Sequence, residues 1–324
     1  MFLHPIKWPH GKTCAAAITF DIDADSLIRD ACRDDAELRL QPISMGRYGP
    51  TVAVPRILEA YRRLGLTQTF FMPGWVMENY PKTVEAILEG GHEIGHHSWR
   101  HEDPMGHSDA EEAELFERAL EVHVKLTGRK PRGYRAPVYS ITPARGDRLI
   151  AHEFLYDSSM MADELPYLVK KGTGSIIEMP PHWGTDDWPP FAHFAEIDYL
   201  MPVRGPRGGI APFFEEFEAM YEAGGFWMPV LHPFLTGRLA RWREMQRPLA
   251  AILARRDVSF APLAQIPGLA RDHRNTLRTA VLRHNTARFY VSNCQRTPPV
   301  RPSVAPVSRA ELDLNTQEPR CSPP

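Results

Sequence analysis

Cysteine is scarce in this 324-residue chain. The four present (Cys14, Cys32, Cys294 and Cys321) form no C-x-x-C pair, which excludes a disulfide framework and a thiolate metal site. Charge of one sign is also lacking: 38 lysines and arginines face 40 aspartates and glutamates, a net charge of −2. That balance gives no electrostatic footprint for nucleic acid or an anionic membrane surface. No window of about 18 apolar residues occurs, so no transmembrane helix is expected. The amino-terminal MFLHPIKWPHGKTCAAAITF has no charged region leading into a long apolar run, so it reads as no secretion signal and a cytoplasmic location is expected. No G-x-G-x-x-G or Walker pattern follows a strand-like run, which argues against a nucleotide site.

What is present is alternation. Short apolar runs read as strands: CAAAITF (14–20), TQTFFM (67–72), HEIGHH (92–97), RGYRA (132–136), SIIEM (175–179), FWMPVLH (226–232) and VSFAPL (258–263). Between them lie amphipathic segments, among them VPRILEAYRRLG, DAEEAELFERALEVHVKLTG, ARGDRLIAHEF, FFEEFEAMYEAGG and LARWREMQRPLAAILARR. Several of these stop at a glycine: Gly65, Gly90, Gly128 or Gly224. Repeated βα units predict a parallel sheet covered by helices, and the missing dinucleotide fingerprint favours barrel-like closure over residues 1–270. SMGRYGPTVAVP (44–55) reads as a lid or an oligomer contact. Beyond residue 270 there are nine arginines and no lysine. Residues 271–296 form an extension in which TLRTAVLRHN could make a helix. Residues 297–324, with seven prolines, read as a disordered tail that cannot bury enough surface to offset chain entropy.

In a parallel α/β barrel the chemistry gathers at the carboxyl ends of the strands. The first strand ends in TFDIDAD, where Asp21 and Asp23 share the two-residue period and face the same way. Two carboxylates so close call for a cation or an arginine. An isolated D-x-D is more often a solvated loop with a helix cap. The third strand runs into GHEIGHHSWRHEDP, in which Glu93, Gly95 and His97 have one parity and His92, Ile94 and His96 the other. His97 and His101, four apart, would lie on one side of a single turn, although a bulge at Gly95 would exchange His96 for His97. One aspartate with two imidazoles is a facial set that binds a divalent metal and leaves positions open. Zinc suits it first, with cobalt, nickel or manganese as alternatives. Arg135, in GYRAPVYS, could hold a carboxylate bidentately. His232, in PVLHPF, is a candidate proton donor or else a histidine satisfied inside the barrel wall.

Taken in order, TFDIDAD, GHEIGHHSWRH, GYRAP and VLHP resemble the metal-dependent polysaccharide deacetylases, the NodB-homology or carbohydrate esterase family four, over roughly residues 10–268. The resemblance implies an α/β fold, a distorted TIM-like (β/α)7 barrel. It implies Asp23, His97 and His101 as metal ligands and Asp21 as catalytic base. Arg135 would orient that base, and His232 would protonate the leaving amine. Asp157 or Asp163, in YDSSMMAD, would tune His232, with Asp157 preferred. The spacing Asp21-Ile22-Asp23 replaces the family's usual adjacent aspartates. It resembles a smaller branch that includes intracellular peptidoglycan-deacetylase-like proteins, cyclic imide hydrolases and an allantoinase. In the mechanism so implied, Asp21 takes a proton from water that attacks an amide carbonyl, and His232 returns one to the departing nitrogen.

Trp75, Trp99, Pro137, Tyr139 and Trp183 are the expected substrate-binding residues, in a chain whose predicted strand ends also carry Trp188 and Trp227; sugar rings and small heterocycles both stack on such faces. The expected substrate is a small-molecule or oligosaccharide amide. N-deacetylation of an N-acetylated sugar or similar amide stands first, ring opening of a cyclic imide or ureide second, and a carbohydrate- or metal-binding barrel without turnover third. A homo-oligomer is compatible with all three.

Overall fold

The computed structural model describes Phe2, residues 5–269 and residues 279–281. The proline-rich segment expected to be disordered lies outside the described residues, as does most of the 271–296 extension. Strands are β1 (Cys14–Ala16), β2 (Thr19–Asp21), β3 (Thr69–Met72), β4 (Glu93–His96), β5 (Gly133–Tyr134), β6 (Tyr156–Asp157), β7 (Tyr167–Lys171), β8 (Gly174–Glu178), β9 (Phe226–Trp227), β10 (Val230–Leu231), β11 (Val258–Phe260) and β12 (Thr279–Val281). The larger sheet has the order β10-β2-β3-β4-β5-β6-β8-β7-β12, and the smaller β11-β1-β9. Every pairing is parallel except the β7–β8 hairpin.

Two of the predicted strands are each divided between the sheets. CAAAITF contributes β1 to one and β2 to the other, and FWMPVLH contributes β9 and β10. The Ala17 N–H donates to Trp227 O at 3.0 Å and the Thr19 N–H to Pro229 O at 3.0 Å, so the two segments stay paired while they change sheet. The result is a curled, distorted (β/α) barrel with helices packed outside. Thr279–Val281, placed in a segment whose sequence could make a helix, is strand. Among the described residues no helix is long and apolar enough to cross a membrane.

The helices follow their sequence signals. Asp109–Thr127 begins with a capping box in which Ser108 and Glu111 satisfy each other's backbone N–H groups, and it ends at Gly128. Val54–Leu64 buries Val54, Ile57, Ala60 and Tyr61 against the barrel. SMGRYGPTVAVP, expected as a lid or an oligomer contact, is helical. It falls within the helix Leu40–Tyr48, a π-helical turn Gly49–Ala53 and the start of Val54–Leu64. Gly46 explains why it is fixed: a Cβ there would lie 2.4 Å from Ala24 O and 2.8 Å from Asp25 Cα. This helix is therefore seated directly on the loop that follows Asp23. Asp25 completes the junction, accepting from Tyr80 Oη at 2.5 Å and pairing with Arg29 at 2.9 Å and Arg47 at 3.3 Å.

Candidate active site

β2, β3 and β4 pair with Asp21 opposite Phe71 and Phe71 opposite Gly95, which fixes the register of the first two motifs. The strand has no bulge at Gly95. A Cβ at that position would meet the Phe71 ring at 2.5 Å, so only glycine admits Phe71 to the barrel interior. The expected parity therefore holds through the strand. Glu93 points inward, accepting from Thr69 Oγ1 at 2.7 Å and from the Ala264 N–H at 3.0 Å. His97, one residue beyond β4, faces the strand ends. His96 points outward, its ring 4.6 Å from Phe116; its Nδ1 accepts the Ser98 N–H at 3.1 Å and its Nε2 donates to Phe116 O at 3.3 Å. Burial first, and Arg145 next, hold it well below the usual imidazole range, so it is a neutral core residue. His92 is likewise buried, and its pKa is lowered by burial to about 4.

His97 and His101 do not share a helical turn, as their spacing had suggested. Ser98 (φ 60°) and His101 (φ 69°) are both left-handed, and the loop folds around the buried carboxylate of Glu102, which accepts the Trp99 and Arg100 N–H groups at 3.0 and 2.6 Å. Those two bonds offset part of the strain of two non-glycine residues at positive φ. The loop carries the His101 ring to 5.2 Å from that of His97, centroid to centroid.

Asp23 is the hub. Its Oδ1 lies 3.5 Å from His97 Nε2, and its Oδ2 lies 3.6 Å from both His101 Nε2 and His232 Nε2. Both Asp23 oxygens and His97 Nε2 are buried without a hydrogen-bond partner, an arrangement that would be costly unless a cation joined them. Two ligands each about 2.1 Å from one point, at the tetrahedral angle, are about 3.4 Å apart. The Asp23–His97–His101 separations fit that requirement. The His97 Nδ1–H donates to Arg135 O at 2.7 Å, which leaves the Nε2 lone pair facing Asp23. Burial opposes ionisation of Asp23, but His101, His97 and His232 outweigh it and hold the carboxyl well below its usual range.

Beside this cluster Asp21 Oδ1 receives Arg135 Nη1 at 2.7 Å, and its Oδ2 is 3.9 Å from His97 Nε2. Arg135 is wholly buried and held on several sides, donating to Thr19 Oγ1 and Ser158 Oγ at 2.9 Å each, with its guanidinium 4.3 Å from the Phe71 ring centroid. The contact to Asp21 uses one guanidinium nitrogen, not the bidentate pair that the residue types allow.

His232 follows β10, with Nδ1 2.6 Å from Asp187 Oδ1; its backbone N–H also donates to Asp187, as does that of Thr236. Burial disfavours the imidazolium, but Asp187 and then Asp23 outweigh it, raising the pKa to about 10. The partner of His232 is therefore neither Asp157 nor Asp163. Asp157 is buried against Ser159 Oγ at 2.7 Å and faces Glu178, and burial raises its pKa. Asp163 accepts the Glu164 and Leu165 N–H groups. The overlooked signal is the acid doublet in WGTDDW, where an extended segment bridges to Val230 and brings Asp187 alongside the strand that ends at His232.

A cavity of about 450 Å3 opens onto Asp21, His97, His101 and His232, and its remaining wall is largely apolar and aromatic. Of the expected substrate-binding residues Tyr139 and Trp183 line it, with rings 4.9 Å apart; Pro137 is not in its wall but opens the turn that carries Tyr139. Trp75 and Trp99 do not line it. Trp75 lines a separate surface cleft with Arg29 and Arg33, and Trp99 is buried beneath Arg118, whose guanidinium is 3.8 Å from its ring centroid. Trp188 and Tyr199 take their place in the wall, Trp188 with its ring 5.3 Å from that of His232.

Comparison with known proteins bears on the family and the fold. The polysaccharide deacetylase family profile matches residues 48–153. A crystal structure from Mycobacterium smegmatis assigned to the polysaccharide deacetylases is 33% identical, with a TM-score of 0.82 over 88% of this chain and 99% of that one. The peptidoglycan deacetylase of Helicobacter pylori is 24% identical over 247 residues, covering 68% of this chain and 84% of that protein. The PuuE allantoinase, 20% identical, shares the fold with a TM-score of 0.70 over 82% of this chain and 93% of that one.

Proposed function

Because the chain belongs to the polysaccharide deacetylase family, whose members hydrolyse carbon–nitrogen bonds, we propose that it is a metal-dependent hydrolase of non-peptide amides. The observation that carries the proposal is the set of buried, unpartnered atoms on Asp23 and His97 beside a base and an acid held by their own partners. Asp23, His97 and His101 would hold a divalent metal, zinc by ligand type. Such an ion lowers the pKa of a water molecule to about 7 and polarises a carbonyl. Asp21, fixed by Arg135, accepts the proton of the attacking water. His232, kept charged by Asp187, delivers a proton to the nitrogen, without which an amide nitrogen leaves poorly. Tyr139, Trp183 and Trp188 wall the space in which the acyl group and its ring would sit.

N-deacetylation of an N-acetylated sugar or similar small amide is the first reading, in line with the relatives. Ring opening of a cyclic imide or ureide is the second, favoured by the confined apolar pocket, which offers a polyhydroxylated chain few polar partners. The test is hydrolysis of N-acetylglucosamine oligomers, succinimide and hydantoin by the purified protein, with and without added zinc. Turnover of none of them, with metal bound at unit stoichiometry, would instead favour a binding barrel.

A further inference from the structure

Asp186 is a carboxylate for which the proposed reaction has so far no use. It is 2% exposed, lines the same cavity, and has no lysine or arginine partner among the described residues. Burial raises its pKa to about 6, and the charge that opposes this is the nearby His232 imidazolium. The fold also fixes it: the Tyr139 hydroxyl donates to Oδ2 and the Trp188 N–H to Oδ1 at 2.7 Å. A carboxylate has about four acceptor positions, so two remain after these bonds. One oxygen of Asp186, one of Asp187 and a ring nitrogen of His232 lie within 4.8 Å of one another. Asp187 is turned into the protein by His232 and Thr236, whereas Asp186 is the member of the doublet at the cavity wall.

Resting on the hydrolase reading above, we propose that Asp186 accepts the N–H carried by the scissile nitrogen, so that the enzyme selects amides with a free N–H over N-alkylated ones. The position suits the task. A nitrogen that receives its proton from His232 must sit beside that imidazole, and an oxygen of Asp186 lies within 4.8 Å of a His232 ring nitrogen. During C–N cleavage the nitrogen passes from a planar amide to an amine. Its own lone pair, freed from conjugation as the carbonyl carbon becomes tetrahedral, takes the proton from His232 first, and the electron pair of the broken bond then becomes the lone pair of the departing amine. While the nitrogen carries that positive charge its N–H is more acidic, so the bond to Asp186 strengthens toward the transition state. An N-methyl substrate offers no donor and leaves the buried carboxylate unpaired. Sites built around such a bond discriminate strongly.

The test is kcat/KM for matched pairs, N-acetylglucosamine with its N-methyl amide and succinimide with N-methylsuccinimide, in the zinc-loaded wild type, D186A, D186N and Y139F. The wild type is expected to prefer the N–H member of the pair it accepts by roughly a hundredfold or more. That preference should fall at least about tenfold in D186A and less in Y139F, where the carboxylate remains but loses its orienting hydroxyl. D186N, which keeps the shape and a neutral acceptor, serves if D186A does not fold. Equal hydrolysis of both members by the wild type overturns the inference alone, as does an unchanged preference in the folded Asp186 variants. Turnover of no member of either pair overturns the hydrolase reading, and this inference with it.

Discussion

The imidazole of His232 stands 2.6 Å from the Asp187 carboxylate on its Nδ1 side and 3.6 Å from Asp23 on its Nε2 side. Asp187 therefore governs the proton that Nε2 can give. D187N should lower kcat by about a hundredfold and move the basic limb of the pH–rate profile to lower pH. With a divalent ion at Asp23 the wild-type limb should itself lie below 10, since the ion cancels the help that Asp23 gives the imidazolium. The linkage to stability has a definite sign. His232 has a folded pKa raised to about 10 over an unfolded value of about 6.5. Its contribution is full below about pH 6.5 and is lost as pH rises toward 10. Coincident basic limbs in D187N and wild type would refute the pairing.

Metal binding should be measurable apart from catalysis. Zinc at a hundred times its Kd should add about 2.7 kcal/mol to the unfolding free energy. D23N should abolish that increment while remaining folded, and calorimetric titration should show H97A and H101A weakened by about a hundredfold or more. An undiminished zinc-induced rise in Tm for D23N would place the ion elsewhere.

Arg135 should tolerate no conservative replacement. Lysine cannot reach Asp21, Thr19 and Ser158 together from one planar fork, so R135K should fold and lose about a hundredfold or more in kcat. R135A, which strands Asp21 without its partner, should cost about 3–5 kcal/mol by urea denaturation. Wild-type kcat in R135K would remove Arg135 from the mechanism.

The aromatic residues divide by position. W183A and W188A should raise KM by roughly tenfold, each losing contact worth about 1–2 kcal/mol, whereas W75A should stay within about twofold because its ring lies outside the cavity. A large effect of W75A on KM, with an unchanged Tm, would contradict the cavity as the binding site.

Much of this was legible in the sequence because strand parity is a strict rule. Asp21 and Asp23, the outward His96 and the forward His97 all follow from a period of two in a strand without bulges. Where local periodicity ceased to apply, the reading weakened. The His97–His101 spacing suggested a turn, but Glu102 draws the loop into two left-handed residues that no periodicity encodes. Asp187 was missed because its role depends on an extended segment bridging to Val230, 44 positions along the chain from Asp186, whereas Asp157, the preferred candidate, ends β6 beside Ser159 and Glu178. Trp75 and Trp99 stand near the predicted strand ends in sequence, yet their rings pack away from the cavity.

Gly95 offers a check on the barrel itself. G95A should destabilise the protein by about 1–3 kcal/mol, since the new methyl enters the space of the Phe71 ring, on which the Arg135 guanidinium lies. F71L should recover part of that loss in the double variant. Additive losses would show that the clash is relieved elsewhere.

Arg135 serves the site twice by different means: its guanidinium holds Asp21, and its carbonyl oxygen holds His97. The second task belongs to the peptide chain and survives any change of side chain. Substitution at this position should therefore separate the two halves of the centre: a metal held through His97 would keep near-native affinity while turnover falls. Descent by such a step would weaken the chemistry through a single codon while sparing whatever metal capture the imidazole supports.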